Sequence, residues 1–311
     1  MDNKEVAIIG GGLMGYGIAF VFASAGHPVA ICEPSEQRLS DLPNKINELC
    51  DLLHVGPDTL ANIRYESSLP DTVTTAGFVI EAAPENLEIK RSIFADLDRY
   101  APPEAILATN TSAIPISSIA SAARIQNRVI GAHFWNPPHL IELVEIILGE
   151  ESDLAFAEQA MTIMSSVGMT PVLVKKDVPG FIGNRLQHAL KREAIALVAN
   201  GICDAETVDT VTKLGFGQRL PVMGPLEQSD LLGLELTLAI HKTLIPDLDV
   251  TQVPHPLLQT LIESGRNGAK SGEGFRTWTE DQASEQRKRM NDHLVSNARE
   301  RYGKRKTDRS R

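Results

Sequence analysis

The stretch VAIIGGGLMGYGIAF, residues 6–20, constrains the fold more than any other part of this chain. It sets Gly10, Gly12 and Gly15 in G-x-G-x-x-G spacing, after a short apolar run and at the head of a longer one. In a strand–turn–helix context Gly10 permits the tight turn, and Gly12 lets backbone N–H groups approach a pyrophosphate. Gly15 allows close helix–strand packing. Leu13 and Met14 stand between them, where the new helix directs its N-terminus at the phosphates. The next strand pattern ends in Glu33, eighteen residues after Gly15. A carboxylate there accepts hydrogen bonds from an adenosine ribose and repels a 2′-phosphate, so the expected cofactor is NAD rather than NADP.

The alternation begun here continues. Strand patterns at 5–9, 28–33, 63–66, 77–82, 105–109, 128–134, 141–148 and 170–175 are separated by helical ones such as 13–25, 86–100 and 153–167. Repeated strand–helix–strand order predicts an α/β fold with a Rossmann-like doubly wound sheet. After KKDVPG only helical patterns follow, near 181–200, 204–214, 226–245, 257–265 and 279–302, the first closed by Asn200-Gly201. The expected division is an NAD-binding domain over 1–178 and an all-helical C-terminal domain over 179–311.

Bulk properties narrow the partners. A length of 311 residues agrees with two domains, and a net charge of −10 argues against nucleic acid or an anionic membrane. The basic end RERYGKRKTDRSR reads as a solvated helix tail. Cysteines at 32, 50 and 203 have neither disulfide-framework nor metal-ligand spacing, and no metal is expected. The N-terminus enters a strand at once, and no apolar run approaches the roughly 18 residues that span a bilayer. A cytoplasmic protein acting on a small molecule is the expectation.

The chemistry concentrates in HFWNPPHLIELVEI, residues 133–146. If 128–134 and 141–148 form a hairpin folded about residue 139, His133 and Glu145 lie directly opposite. Such pairs have Cβ atoms about 4.5–5.5 Å apart, within reach of a carboxylate–imidazole hydrogen bond. The carboxylate fixes the tautomer and favours the protonated ring, leaving the other nitrogen to take a proton from a hydroxyl. Asn110 and Ser112, in ATNTSAIP, follow a strand at the same sheet edge, and Asn184, in VPGFIGNRLQ, opens the long helix. A hydroxyl and an amide near a base can orient an oxygen that gains charge. Taken singly, the bland alternatives stand: a histidine satisfied within a turn, a capping serine, an interdomain asparagine.

The segments IGGGLMG, PENLEIK, TNTS, HFWNPP, LVEI and VPGFIGNRL occur in the order found in L-3-hydroxyacyl-CoA dehydrogenases. KLGFGQRLPVMGPLEQSDLLGL and GAKSGEGF carry the resemblance to near residue 278. The resemblance implies hydride transfer from a 3-hydroxy carbon to NAD⁺. His133 is then the base, Glu145 its partner, Ser112 and Asn184 ligands of the 3-oxygen, and Asn136 a supporting polar residue. Glu85 and Lys90 match positions near the nicotinamide ribose, with Asn110 among the cofactor residues. It also implies a helical dimerisation domain; the apolar helices of MGPLEQSDLLGLELTLAI agree with a homodimer. An NAD-binding protein kept for a structural role would not need Ser112, His133, Glu145 and Asn184 together.

Two departures point within the family. The arm QRLSDLPNKINELCDLLHVGPDTLANIRY is shorter than in the CoA-ester enzymes and poor in basic residues, with Lys45 nearly alone in its middle. Glu273 replaces a residue that is often basic. Both resemble the branch acting on small free acids, such as the L-gulonate and pyridine-carboxylate dehydrogenases. His139 and Arg219 are then the polar candidates for a substrate carboxylate.

Overall fold

The computed structural model describes residues 5–56 and 60–309. The chain divides into two compact units, Met1–Ile182 with Met290–Arg311, and Gly183–Arg289.

In the first unit the strands are β1 (Glu5–Ile9), β2 (Val29–Cys32), β3 (Ile63–Glu66), β4 (Ala76–Glu81), β5 (Ile106–Thr109), β6 (Val129–Phe134), β7 (Leu143–Leu148) and β8 (Thr170–Val174). They form one sheet in the order β3-β2-β1-β4-β5-β6-β7-β8. Every adjacent pair is parallel except β6 and β7. The chain runs outward from β1 through β2 and β3, then crosses to β4 on the other side. This reversal opens a crevice at the carboxyl ends of β1 and β4, where doubly wound sheets bind ligands.

Between the strands lie α1 (Leu13–Ser24), α2 (Glu36–Leu53), α3 (Leu69–Val73), α4 (Leu87–Tyr100), α5 (Ile116–Ala120) and α6 (Leu154–Ser166). Ser35, Asn86 and Asp153 cap α2, α4 and α6 with side-chain oxygens. Strand residues alternate between two cores. Val6, Ile8, Ile31, Phe78 and Ile80 join one cluster with Phe20 of α1, while Ala7, Ile9, Val79 and Leu107 join the other with Phe94 of α4. Burial on both faces explains why these strands are apolar throughout rather than alternating with polar residues.

The second unit contains α7 (Gly183–Ala199), α8 (Ala205–Leu214), α9 (Pro225–Leu232), α10 (Leu234–Leu244), α11 (Pro256–Glu263) and the start of α12 (Glu280–Arg309). The single helix expected over 226–245 is two. Gly233 stands between α9 and α10 at φ +93°, a conformation that cannot continue a helix.

The tail is the other difference. The sequence assigns everything after 178 to the helical domain and leaves the end solvated. Instead, Val295, Ala298 and Tyr302 are buried in the same cluster as Phe20, and the Tyr302 and Phe20 rings meet edge-on at 5.6 Å. Arg299 donates to the Leu52 carbonyl, and Arg301 donates to the His139 carbonyl and pairs with Glu142. Spacings of three and four residues put the three apolar side chains on one helical stripe. The cationic end beyond Gly303 lies outside the described side chains. Among the described residues, no helix is long and apolar enough to cross a membrane.

Candidate active site

The glycine turn forms first. Gly10 sits at φ +106°, and a Cβ there would meet the Ala82 carbonyl oxygen at 2.8 Å. A Cβ on Gly15 would fall 1.7 Å from the Gly10 oxygen, so only glycine lets α1 start this close to β1. Around Gly12, in contrast, a Cβ would meet nothing within 4 Å. That open space faces the N-terminus of α1, whose cap residue Gly12 supplies no side chain to its amides. Leu13, half exposed, and Met14, partly buried, form its first turn. Unpartnered amides at a helix start, approached without obstruction, fit a pyrophosphate.

Glu33, just past β2, is 3% exposed and accepts hydrogen bonds from Gly11 N (3.1 Å), Ser35 N (2.9 Å) and Arg38 Nη2 (2.9 Å). These bonds fix the carboxylate beside the glycine turn: Oε1 takes two of them, and Oε2, with one, retains capacity for a ribose hydroxyl. The turn, the helix start and this carboxylate fit a dinucleotide.

β6 and β7 pair antiparallel with His133 opposite Glu145, in the register the spacing predicts. Glu145 Oε2 lies 2.8 Å from His133 Nδ1, and Glu145 Oε1 accepts from Ile182 N at 2.9 Å. With a carboxylate at Nδ1, that nitrogen carries the proton and Nε2 is the acceptor. Ser112 Oγ is 3.2 Å from Nε2. The imidazole is flanked by Trp135, with ring centroids 5.7 Å apart, and by Phe181 at 5.5 Å. Phe181 is buried and held at φ +49°.

Beside the dyad lies a network of charge at the end of β4. Lys90 and Glu81 are 1% and 0% exposed, and Lys90 Nζ is 2.7 and 2.9 Å from the two Glu81 oxygens. Glu85 Oε1 accepts from Thr111 Oγ1 (2.6 Å), Ser112 N (3.0 Å) and Ala113 N (3.2 Å). Burial pushes the Glu85 carboxyl up, but the Thr111 hydrogen bond, the Lys90 charge and the two amides together hold it below its ordinary value. Asn110 is committed as well, its Oδ1 accepting from Phe134 N at 2.8 Å.

The structure therefore brings His133, Glu145, Ser112, Glu85, Lys90 and Asn110 together at the carboxyl ends of β4, β5 and β6. Lys90 makes its closest contacts to Glu81, not to the open crevice. Asn136 is exposed and precedes a cis bond to Pro137. Asn184 is in the first turn of α7, in the other unit, as is the exposed Arg219. His139 is not available to a carboxylate. It is buried, its Nδ1 has no hydrogen-bond partner, and burial with the nearby Arg301 charge lowers its pKa to about 4. Glu81, Thr109, Thr111 and Phe181 join the site only through their contacts in the fold. An acid closing the apolar strand AGFVIE was the available signal for Glu81.

A family model described as 3-hydroxyacyl-CoA dehydrogenase, NAD binding domain, matches residues 5–178. The corresponding C-terminal domain model matches 180–278. A 5-formyl-3-hydroxy-2-methylpyridine 4-carboxylate 5-dehydrogenase from Mesorhizobium japonicum is 33% identical over 284 residues, covering 90% of this chain and 92% of its own. The crystal structure of an enzyme of that name, described as an NAD⁺-dependent dismutase, superimposes with a TM-score of 0.87 at 31% identity, covering 96% of this chain and 99% of its own. An (S)-3-hydroxybutyryl-CoA dehydrogenase from Ralstonia eutropha superimposes with a TM-score of 0.74 at 29% identity, covering 89% of this chain and 99% of its own.

Proposed function

The chain belongs to the 3-hydroxyacyl-CoA dehydrogenase family, and from that premise we propose that it oxidises the hydroxyl-bearing carbon of a small free acid, with His133 as base. NAD-dependent oxidation of CH–OH is the activity of the family. The observation that carries the residue roles is the line Glu145–His133–Ser112, at 2.8 and 3.2 Å.

Bound NAD⁺ supplies the hydride acceptor. The glycine turn would hold its pyrophosphate and Glu33 its adenosine ribose. His133 Nε2 takes the proton of the substrate hydroxyl as the hydrogen on the same carbon leaves as hydride, and the C–O bond becomes C=O. Glu145 stabilises the imidazolium and fixes its orientation, and the Ile182 amide fixes Glu145 in turn. Ser112 orients the substrate oxygen. The aromatic walls of Trp135 and Phe181 limit water at the base.

The case for a free acid rests on α2. Its two basic residues already face carboxylates: Arg38 is 2.9 Å from Glu33, and Lys45 is 3.9 and 3.6 Å from Asp41 and Glu48. A ligand with several phosphate charges needs cationic partners, and this helix offers none uncommitted. The structural likeness to the pyridine-carboxylate enzyme supports the same choice. Its name brings in a second substrate form, an aldehyde, for which the dyad would activate water instead of a hydroxyl.

A homodimer completes this reading. Leu226, Leu231, Leu234 and Leu238 of α9 and α10 are 79%, 78%, 61% and 56% exposed. An apolar surface of this kind is covered by a second copy. A cytoplasmic location goes with it, Cys32, Cys50 and Cys203 being free thiols.

Steady-state turnover tests the proposal, with NAD⁺ and small free 3-hydroxy acids in one series and NADH and acetoacetyl-CoA in the other. Turnover on a free acid with none on the thioester supports it. Fast oxidation of NADH by acetoacetyl-CoA would contradict it.

A further inference from the structure

We propose that Phe181 is a positioning residue for the His133–Glu145 dyad: its buried ring anchors a left-handed backbone that aims the Ile182 amide at Glu145. The inference rests on the reading of His133 as base given above.

Phe181 N donates to the Val178 carbonyl at 3.0 Å, closing a four-residue turn with Pro179 second and Gly180 third. Gly180 sits at φ +76°. Proline and glycine favour these two places in a turn of type II, whose third residue needs a positive φ. The left-handed backbone then continues into Phe181, at φ +49°, where no glycine accounts for it. Among the described residues, His54 is the other non-glycine with a positive φ. It stands at the C-cap of α2, an ordinary place for that conformation. Phe181 follows a turn instead. For a bulky side chain such a backbone is strained, and it persists only where the surroundings over-determine it.

The surroundings do so here. Phe181 is buried and joins the core cluster that contains Ile116, Ile147 and Val174. Its ring centroid also lies 5.5 Å from that of the His133 imidazole. The next residue makes the second contact. Ile182 N donates to Glu145 Oε1 at 2.9 Å, while Oε2 faces His133 Nδ1 at 2.8 Å. Two adjacent residues thus meet both members of the dyad, one by its ring and the other by its amide. The φ of Phe181 relates the turn, which its own N–H closes, to the ring and to the chain beyond. Rotated to an ordinary negative value with the turn intact, it would swing the ring out of the core and Ile182 N away from Oε1 together.

The test compares Phe181→Leu with Phe181→Ile. The two new side chains have the same atoms and both suit an apolar core, but branching at Cβ disfavours positive φ far more strongly in isoleucine. Three quantities are read in each variant. They are kcat with NADH and acetoacetyl-CoA or with NAD⁺ and a free 3-hydroxy acid, whichever turns over, NADH affinity by fluorescence, and hydrogen exchange at the Ile182 amide. Phe181→Leu is expected to keep kcat within about threefold of wild type, and Phe181→Ile to lose roughly 10- to 100-fold, as misplacement of a reacting group does. Exchange at Ile182 is expected to rise at least about tenfold in Phe181→Ile alone. NADH affinity is expected to stay within about threefold of wild type in both. In a Glu145→Ala background the difference in kcat between the two substitutions is expected to shrink below about threefold, because the amide then has no carboxylate to hold. Should Phe181→Ile fail to fold, Phe181→Ala removes the anchor and takes its place in the same comparison. Equal kcat in Phe181→Leu and Phe181→Ile, or equal exchange at Ile182, overturns the inference and leaves His133 its role. So do losses fully additive with Glu145→Ala. A His133→Ala enzyme with wild-type kcat overturns the reading of the base itself, and this inference with it.

Discussion

Phe20, Ile31 and Val79 of the sheet unit are fully buried, whereas Val222, Leu226 and Leu231 of the helical unit are 89%, 79% and 78% exposed. The residue types hardly differ; the surroundings do. A sheet with helices on both faces closes two cores within one chain, and its apolar strands have no exposed side left. The helical unit buries only Ala196, Leu261 and Ala283 among its described apolar residues. Its helices present their apolar stripes outward, and the proposed second copy supplies what one chain lacks. The contrast separates two kinds of stability, one set by the chain and one by its concentration.

The most severe way to break the contrast is Phe20→Ala. It opens a cavity where α1 meets the tail residue Tyr302, and about 3–5 kcal/mol of sheet-unit stability should be lost. Urea unfolding at fixed protein concentration measures this. Loss below about 1 kcal/mol would mean that the core around Phe20 is not closed as described.

His139 makes the stability of the sheet unit depend on pH. Its pKa falls from an ordinary 6.5 to about 4, so the unfolded chain binds the proton more readily than the folded one. Its contribution is complete above pH 6.5 and is lost as pH falls through 4. At ~1.4 kcal/mol per pKa unit the whole effect is about 3 kcal/mol. A His139→Leu variant should show an acid limb flatter by that amount in unfolding experiments between pH 7 and 4. An unchanged limb would mean that His139 is solvated in the folded protein.

The smallest expected effect on folding comes from the helical unit. Leu231→Glu should change sheet-unit stability by no more than about 0.5 kcal/mol, yet shift sedimentation from dimer toward monomer. Unaltered sedimentation would remove the second copy from α9.

Much of this arrangement could be read from residues alone, for local reasons. The glycine triplet dictates its own turn. The pairing of His133 with Glu145 follows from strand period and from a turn centred on residue 139, because register in a hairpin is arithmetic. What could not be read depends on distant partners. AGFVIE ends in an acid that looks like a strand terminus, and only the approach of Lys90 from α4 makes it a buried ion pair. Tyr302 lies in a run of charges, and its burial needs Phe20, which lies 282 residues away in the chain. His139 looks accessible beside two prolines, until α1 and the tail enclose it. A stripe shows that a helix face will be covered, but not by what.

His133, held by Glu145, is proposed as the base of an NAD-dependent dehydrogenase. Comparing kcat of His133→Ala with wild type, while following NADH binding, tests it most directly. His133→Ala is expected to lose roughly 10²–10⁴-fold in kcat with cofactor affinity retained. A His133→Ala enzyme turning over within about threefold of wild type would contradict it.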